Sequence, residues 1–293
     1  MGINKNPTDF WALTFNIAVG CQQISPGCAY CYAKEATEIG KCKGKYPDAW
    51  HGQRYSLSES YWREPLKWST SWQQKQGIKG AHLNHITCCS WSDVFEDHPI
   101  LNAEREKLWP LIKQTPWLTW SLITKRHDNV IKNLPWGANE TPWPNVWIGF
   151  SVENDYWANK RLPYLVQINS VVRFAICEPL LDTLPSLPKY LPSIDWIMVG
   201  GESRKDGPSK AREMRPEWVD SIINNCQAAN VPFYFKQWGS KRPYQHKNPD
   251  GSIAVVFKAG SRHTVDGNRR FHGHTWDALP VPKLGVVREA AAI

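Results

Sequence analysis

The sequence predicts an α/β protein built as a partial or near-complete (β/α) barrel of the TIM type. Three observations carry that prediction. Seven short β-rich apolar segments recur along residues 13–237, helical patterns separate most of them, and each is followed by a cluster of polar residues. Strand–helix alternation implies βαβ units and a parallel sheet. Uninterrupted apolar runs such as Ile194-Asp-Trp-Ile-Met-Val199 suit strands covered on both faces. The chain of 293 residues is long enough for one such barrel with an addition.

The expected strands are Leu13 to Val19, Ile86 to Trp91, Leu118 to Thr124, Val146 to Val152, Val171 to Cys177, Ile194 to Val199 and Pro232 to Gln237. Helices are expected over Ala29 to Ile39, Leu101 to Lys113 behind Pro99, Asp128 to Leu134 and Asp155 to Leu165. A last one runs over Pro216 to Ala229, with Pro216 suited to the first turn. Two stretches break the alternation. Residues 42–84 form a long insertion rich in Trp, Tyr and basic residues, and a loop of that length is usually functional or carries its own elements. Residues 241–293 have weak periodicity and read as a basic β-rich extension. The expected organisation is therefore a barrel over 10–240, with the insertion at about 42–84, followed by the extension.

Composition narrows the function. Charged residues are 21% and hydrophobic residues 42%, which excludes a disordered or collagen-like chain. No run of about 18 apolar residues occurs, so no membrane span is expected. The first residues lack an apolar core, so no secretory signal is expected either, and a cytoplasmic location follows. The net charge is +8, with nine Lys/Arg against four Asp/Glu from residue 241 onward, and there are 17 Trp. Cations meet phosphates and aromatic rings stack on bases, so DNA, RNA or a nucleotide is the expected partner. The Trp residues of the 50–72 region are the expected stacking groups. Trp147 and Trp196, on strands, are expected in the core.

In a parallel barrel, chemistry gathers at the carboxyl ends of the strands. Those ends hold Gly20-Cys21 with Cys28-Ala-Tyr-Cys31, Ser90-Trp-Ser-Asp93, Thr124-Lys-Arg126, Ser151-Val-Glu-Asn154, Cys177-Glu-Pro179, Gly200-Gly-Glu-Ser203 and Lys236-Gln-Trp-Gly239. The sharpest of these is the spacing Cys21-x6-Cys28-x2-Cys31. Three thiolates on one loop can hold an iron–sulfur cubane and leave one iron open. Two other readings remain. One is structural zinc with Cys42 or His51 as the fourth ligand, and the other is a set of buried thiols. Cys88, Cys89, Cys177 and Cys226 read as core thiols. His272-Gly-His274 reads as surface.

A three-cysteine loop after the first strand of a barrel, with an aromatic residue (Tyr30) before the last cysteine, resembles the radical S-adenosylmethionine (SAM) superfamily. More closely, the chain resembles the uncharacterised, often phage-encoded three-Cys-motif radical-SAM-like proteins. The stretches that carry this include Thr14-Phe-Asn16, Ser25-Pro-Gly-Cys-Ala-Tyr-Cys-Tyr-Ala33, Cys89-Ser-Trp-Ser-Asp-Val-Phe95, Leu122-Ile-Thr-Lys-Arg126, Arg173-Phe-Ala-Ile-Cys-Glu-Pro-Leu-Leu181, Ile194 to Ser203 and Pro232 to Gly239. The superfamily's commonest cysteine spacing is x3 then x2, and this loop departs from it.

The resemblance implies a [4Fe-4S] cluster on Cys21, Cys28 and Cys31, with SAM bound at the open iron and cleaved to a 5′-deoxyadenosyl radical. It implies a reductant of the flavodoxin or ferredoxin kind. Ser90, Ser92 and Asp93 stand where the superfamily holds the SAM amine, without its Gly-Gly-Glu, and Ser151 and Glu153 stand where it holds the ribose. Tyr30, Lys125, Gly200 and Gly201 join that cofactor-binding set, the Gly-Gly turn because it lets backbone approach a ligand closely. Glu178, Glu202 and Lys236 are the candidates for the substrate end. Each of these charges has a structural alternative, with Glu178 pairing with Lys125 or Arg126 and Lys236 with Glu202. A likeness in style to spore photoproduct lyase points to base modification or repair. The rival functions are a non-catalytic zinc-stabilised nucleic-acid-binding barrel and a radical enzyme acting on a peptide or small metabolite.

Overall fold

The computed structural model describes residues 13–74, 84–137, 140–204, 206–259 and 270–286. Parts of the expected insertion (75–83) and extension (260–269 and 287–293) lie outside the described residues. The described strands and helices are β1 (Leu13–Thr14), β2 (Ala18–Val19), α1 (Tyr32–Glu38), β3 (Tyr55–Ser56), α2 (Glu59–Trp62), α3 (Glu64–Gln74), β4 (His85–Cys88), α4 (Pro99–Gln114) and β5 (Thr119–Thr124). They continue with α5 (Val130–Asn133), β6 (Val146–Ser151), α6 (Asp155–Leu165), β7 (Arg173–Cys177), β8 (Trp196–Gly200), α7 (Pro216–Ala228), β9 (Phe233–Gln237), β10 (Lys241–Lys247), β11 (Ile253–Ala259), β12 (Arg270–Phe271) and β13 (His274–Thr275).

Seven strands form one parallel sheet in the order β1-β4-β5-β6-β7-β8-β9, with β1 and β9 as unclosed edges. The sheet curls into a half-barrel. Period-two alternation divides its residues between two layers. Leu122, Ile148, Ala175, Ile197 and Phe235 face the helices, where they meet Leu101, Leu108, Leu162, Ile222 and Cys226. Trp147, Phe174, Ile176, Trp196, Met198 and Tyr234 fill the concave side. Trp196 makes near-perpendicular contacts there with Trp147 (6.1 Å) and Tyr234 (5.8 Å), a favoured aromatic geometry. Gly149 leaves room for the Phe174 ring, since a Cβ there would stand 2.2 Å from it.

Local signals set the helix starts. Asn154 caps α6 by accepting from Trp157 N at 3.1 Å. His98 caps α4 ahead of Pro99, and Pro216 opens α7. The apolar faces of α4 and α7 recur at helical spacing, with Val219, Ile222, Ile223 and Cys226 buried on α7.

Three sequence expectations change. The first strand divides into β1 and β2. Asn16 sits fully buried between them, and its Oδ1 accepts from Ser90 N (2.7 Å) and Trp91 N (2.6 Å). That same contact ends β4 at Cys88 and turns Ser90 to Asp93 into a loop. Apart from Trp50, which is half-buried on the wall of the cavity at the carboxyl ends of the strands, the insertion's aromatics do not form a free stacking platform. Tyr61 stacks on Phe15 at 5.0 Å, Trp62 is buried, and Trp68 and Trp72 pack against the core. Their apolar area is spent on covering the β1 side of the barrel.

The extension starts as the β10–β11 hairpin and then returns to the barrel. Phe235 N donates to Trp276 O (2.9 Å), Tyr234 bridges Asp277, Trp196 Nε1 donates to Ala278 O (2.8 Å), and Lys283 N donates to Val171 O (3.0 Å). These bonds cover β9, whose edge would otherwise be open. No helix among the described residues is long and apolar enough to cross a membrane.

Candidate functional site

A cavity of about 510 Å³ opens at the carboxyl ends of the parallel strands. Its wall includes Cys21, Cys28, Tyr30, Cys31, Ser90, Ser92, Asp93, Lys125, Ser151, Glu178, Gly201, Glu202 and Lys236. These thirteen come from seven strand ends distant in sequence, which the curl of the sheet brings to one place. All three loop cysteines are free thiols and half-buried.

Two buried carboxylates hold the cysteine loop, one from each side. On the Cys21 side, Glu96 accepts from Arg54 Nη2 (2.6 Å), Arg54 Nε (3.1 Å), Gln22 N (3.2 Å) and Arg126 Nη2 (3.2 Å). Arg126 also donates to Gln22 O at 2.7 Å. Gly20 precedes this half with φ +114, and a Cβ there would stand 2.5 Å from Ala49 O, so the turn requires glycine. On the Cys28 side, Glu153 accepts from Ser25 Oγ (2.6 Å) and from the fully buried Arg161 Nη1 (2.7 Å). Ser25 Oγ in turn lies 3.6 Å from Cys28 Sγ. Gly27 rides directly on the Glu153 side chain, where a Cβ would come within 2.5 Å of Cγ. Cys31 stands at the N-terminal end of α1.

Glu153, expected among the cofactor-binding residues, does not reach the cavity wall. It is fully buried and spends both carboxylate oxygens on the loop and on Arg161. Asp93 reaches the wall, but Oδ1 accepts from Thr124 Oγ1 (2.6 Å) and Phe95 N (3.0 Å), and Oδ2 accepts from Lys125 N (2.9 Å). It ties the ends of β4 and β5 together. Ser92 is different, because its hydroxyl is buried on the cavity wall with no hydrogen-bond partner among the described residues. Burying an unpaired hydroxyl is costly, and a ligand in the cavity would satisfy it.

The charged candidates pair in a way the sequence did not disclose. Glu178 pairs with Lys236 (Nζ to Oε2, 2.7 Å) and accepts from Gln237 Nε2 at 2.9 Å. Lys125 and Arg126 go elsewhere, to Glu153 (3.9 Å) and Glu96. Glu202 pairs with Arg212 rather than Lys236, accepting from its backbone N (2.8 Å) and from its guanidinium. Arg212 Nη2 also donates to Pro26 O at 2.9 Å, so Glu202 becomes a third support of the cysteine loop. The Gly-Gly turn serves packing. A Cβ on Gly201 would stand 2.0 Å from Trp238 O, and one on Gly200 would stand 3.0 Å from Glu178. Tyr30 lies beneath the Arg204 guanidinium (3.9 Å) with Arg212 at 5.2 Å, a cation–π arrangement at the cavity wall.

The electrostatics follow from this packing. Burial, with the carboxylates of Glu96 and Asp93, pushes the Cys21 thiol well above the ordinary thiol range. Burial raises Cys31 as well, opposed by the backbone N–H groups of Lys34 and Ala33. Burial disfavours the Lys125 ammonium, but Glu153 and the thiols of Cys28 and Cys31 outweigh it and leave Lys125 above the ordinary lysine value. A permanent cation thus stands beside the cysteines.

Among the described residues, no three His, Cys, Asp or Glu side chains converge as ligands of one metal ion. Of the zinc alternative's partners, His51 faces Glu38 at 3.6 Å, and Cys42 is a free thiol that, like His51, lies off the cavity wall. A cubane takes each cysteine at a different iron, so its thiolates surround it instead of meeting at a point. Three free thiols on one loop, facing one cavity with an unpaired hydroxyl, fit that donor requirement.

Sequence reasoning missed Arg54, Glu96, Arg161, Arg204 and Arg212. Only Arg126 carried a signal, as part of a polar strand end. Cys88, Cys177 and Cys226 are fully buried, as expected, and Trp147 and Trp196 lie in the core. His272 is on the surface, 2.6 Å from Asp220.

The fold and site together define a parallel α/β half-barrel with a cysteine-lined cavity at its carboxyl end. The chain belongs to the DUF5131 family, described as proteins of unknown function, whose model matches residues 6–280. No curated protein and no solved structure matches it.

Proposed function

We propose that this protein is an iron–sulfur enzyme of the radical SAM type that modifies or repairs a nucleic-acid base or nucleotide. The observation that carries the reading is the placement of Cys21, Cys28 and Cys31 on one braced loop at the carboxyl-end cavity of a parallel half-barrel. The chemistry that a bound [4Fe-4S] cluster and SAM supply is reductive cleavage of the sulfonium to a 5′-deoxyadenosyl radical, with the electron coming from a flavodoxin- or ferredoxin-like donor.

The chain's own residues orient and shield. Cys21, Cys28 and Cys31 would hold the cluster, and Glu96, Glu153 and Glu202 fix their loop through Gln22 with Arg126, through Ser25, and through Arg212. Ser92 offers an unspent hydroxyl to a ligand, with Ser90 and Ser151 on the same wall. Lys125 attracts a carboxylate or phosphate. Glu178 and Lys236 line the same cavity as the candidates for the substrate end, with Lys236 Nζ 2.7 Å from Glu178 Oε2. The floor of Trp147, Phe174, Trp196 and Met198 excludes water from below. Net charge +8 and the Arg204–Tyr30–Arg212 arrangement support a phosphate-bearing, base-containing substrate.

The test is 5′-deoxyadenosine formation by reduced, anaerobically reconstituted protein, with and without DNA or RNA, beside binding measured across a salt series. SAM cleavage stimulated by nucleic acid, with affinity falling as salt rises, is expected. Absence of cleavage overturns the radical chemistry. Cleavage with no detectable nucleic-acid affinity even at low salt overturns the substrate class and favours a peptide or small metabolite.

A further inference from the structure

Two thiols at the cavity have no part in the site described above. Cys88 ends β4 and Cys89 follows it, and their Sγ atoms lie 3.2 Å apart, in contact. Cys88 is fully buried in the layer behind the sheet. Cys89 is 8% exposed, and that exposure is to the cavity, whose wall it joins beside Ser90 to Asp93. A small molecule that enters the cavity therefore reaches Cys89, which shares the wall with the loop thiols of Cys21, Cys28 and Cys31, and Cys89 alone of these has the Cys88 thiol already touching it from behind.

We propose that Cys88 and Cys89 form a vicinal dithiol that hydrogen peroxide, entering through the cavity, converts to an intramolecular disulfide. The assignment is independent of the radical SAM reading, because it uses neither the cysteine loop nor a cofactor. In the first step Cys89 Sγ attacks peroxide. An S–O bond forms, the O–O bond breaks, and the departing hydroxide leaves as water with the thiol proton. In the second step Cys88 Sγ attacks the sulfenic sulfur, the S–S bond forms, the S–O bond breaks, and a second water leaves with the Cys88 proton. The two thiols lose two electrons and two protons, and one peroxide is reduced to two waters. The order follows from exposure, since the oxidant reaches Cys89 and not Cys88.

Neighbouring residues hold their Cα atoms closer than the usual span of a disulfide, so the bond is strained and readily reduced. The modification is accordingly reversible. It acts on the loop whose Ser90 and Trp91 backbone groups are held by Asn16, and so on the wall that carries Ser92.

The test is peptide mapping of the full-length chain after brief peroxide treatment, with remaining thiols alkylated under denaturing conditions. The expected peptide spanning Cys88 and Cys89 is lighter by the mass of two hydrogens, carries no alkyl group, and regains two alkylation sites after dithiothreitol. The same result is expected in Cys28→Ala, which disables the loop and leaves the pair intact. In Cys88→Ser, Cys89 gains oxygen instead. In Cys89→Ser, Cys88 stays unmodified. Full alkylation of both residues after other thiols have been consumed, or a disulfide from Cys89 to a different cysteine, overturns the proposal.

Discussion

The floor and the rim of the half-barrel are made by the same strands, yet they obey opposite rules. At the floor, the inward positions are Trp147, Phe174, Trp196 and Tyr234, packed ring against ring. A few residues further along the same strands, the inward positions become Ser151, Glu178 and Lys236. The floor lowers the free energy of the fold. The rim raises it, because it buries Glu96, Glu153 and Glu202 and must supply an arginine for each. A fold under no functional demand would continue the apolar pattern to the end of the strands. The difference marks the rim as the place where stability is given up, which is where the proposed function puts its site.

Substitution at the floor tests the stabilising half of this contrast and has the largest expected effect. Trp196→Ala should cost about 3–5 kcal/mol in denaturant unfolding, while leaving metal loading per folded molecule unchanged. Loss of loading in a fully folded Trp196→Ala would break the separation between floor and rim.

The rim behaves differently. Glu153→Gln leaves the Arg161 guanidinium, fully buried, without its counter-charge and should cost about 3 kcal/mol. It should also lower iron loading, because Ser25 and Cys28 lose their support. A stability loss with loading intact would make Glu153 a barrel residue and not a brace of the cysteine loop.

The smallest effect, about 1.4 kcal/mol one pH unit above the unfolded thiol value, sharpens the comparison through pH. Burial raises the thiols of Cys88, Cys177 and Cys226 in the layer between sheet and helices, that of Cys226 to about 12. A group whose folded pKa is raised contributes its full stability below its unfolded value and loses it as pH rises toward the folded value. For Cys226 the window runs from about 8.5 up to the folded value, with a slope of about 1.4 kcal/mol per pH unit. Cys226→Ala should flatten the alkaline limb of a stability–pH curve by about one proton. An unchanged limb would show that this layer does not set the alkaline response.

Much of the fold was legible because it rests on local pattern. The expected helix Asp155 to Leu165 matches α6 to the residue, and Pro99 and Pro216 marked two more helix starts. Seven polar strand ends, read with the rule that parallel barrels place chemistry there, located the cavity wall. What stayed hidden was pairing. Glu96 meets Arg54 across 42 residues, and Arg212 meets Pro26 across 186. No periodicity encodes such a contact, since it exists only after the strands curl. Glu153 shows the same limit. Its place after the fourth sheet strand was evident, but whether it faces the cavity or the loop beneath depends on Arg161 and Ser25. The insertion's aromatics were visible as a cluster. That they cover Phe15 follows from the short β1, which leaves that side of the core to be closed by other residues.

The central claim is that the rim holds a cluster on Cys21, Cys28 and Cys31 with one iron open to SAM. Its most direct test is iron and sulfide analysis with electron paramagnetic resonance after anaerobic reconstitution, comparing wild type with Cys28→Ala, with and without SAM. The account predicts a reduced four-iron signal in wild type that changes when SAM is added and is absent from the variant. Stoichiometric zinc, or a signal indifferent to SAM, would contradict it.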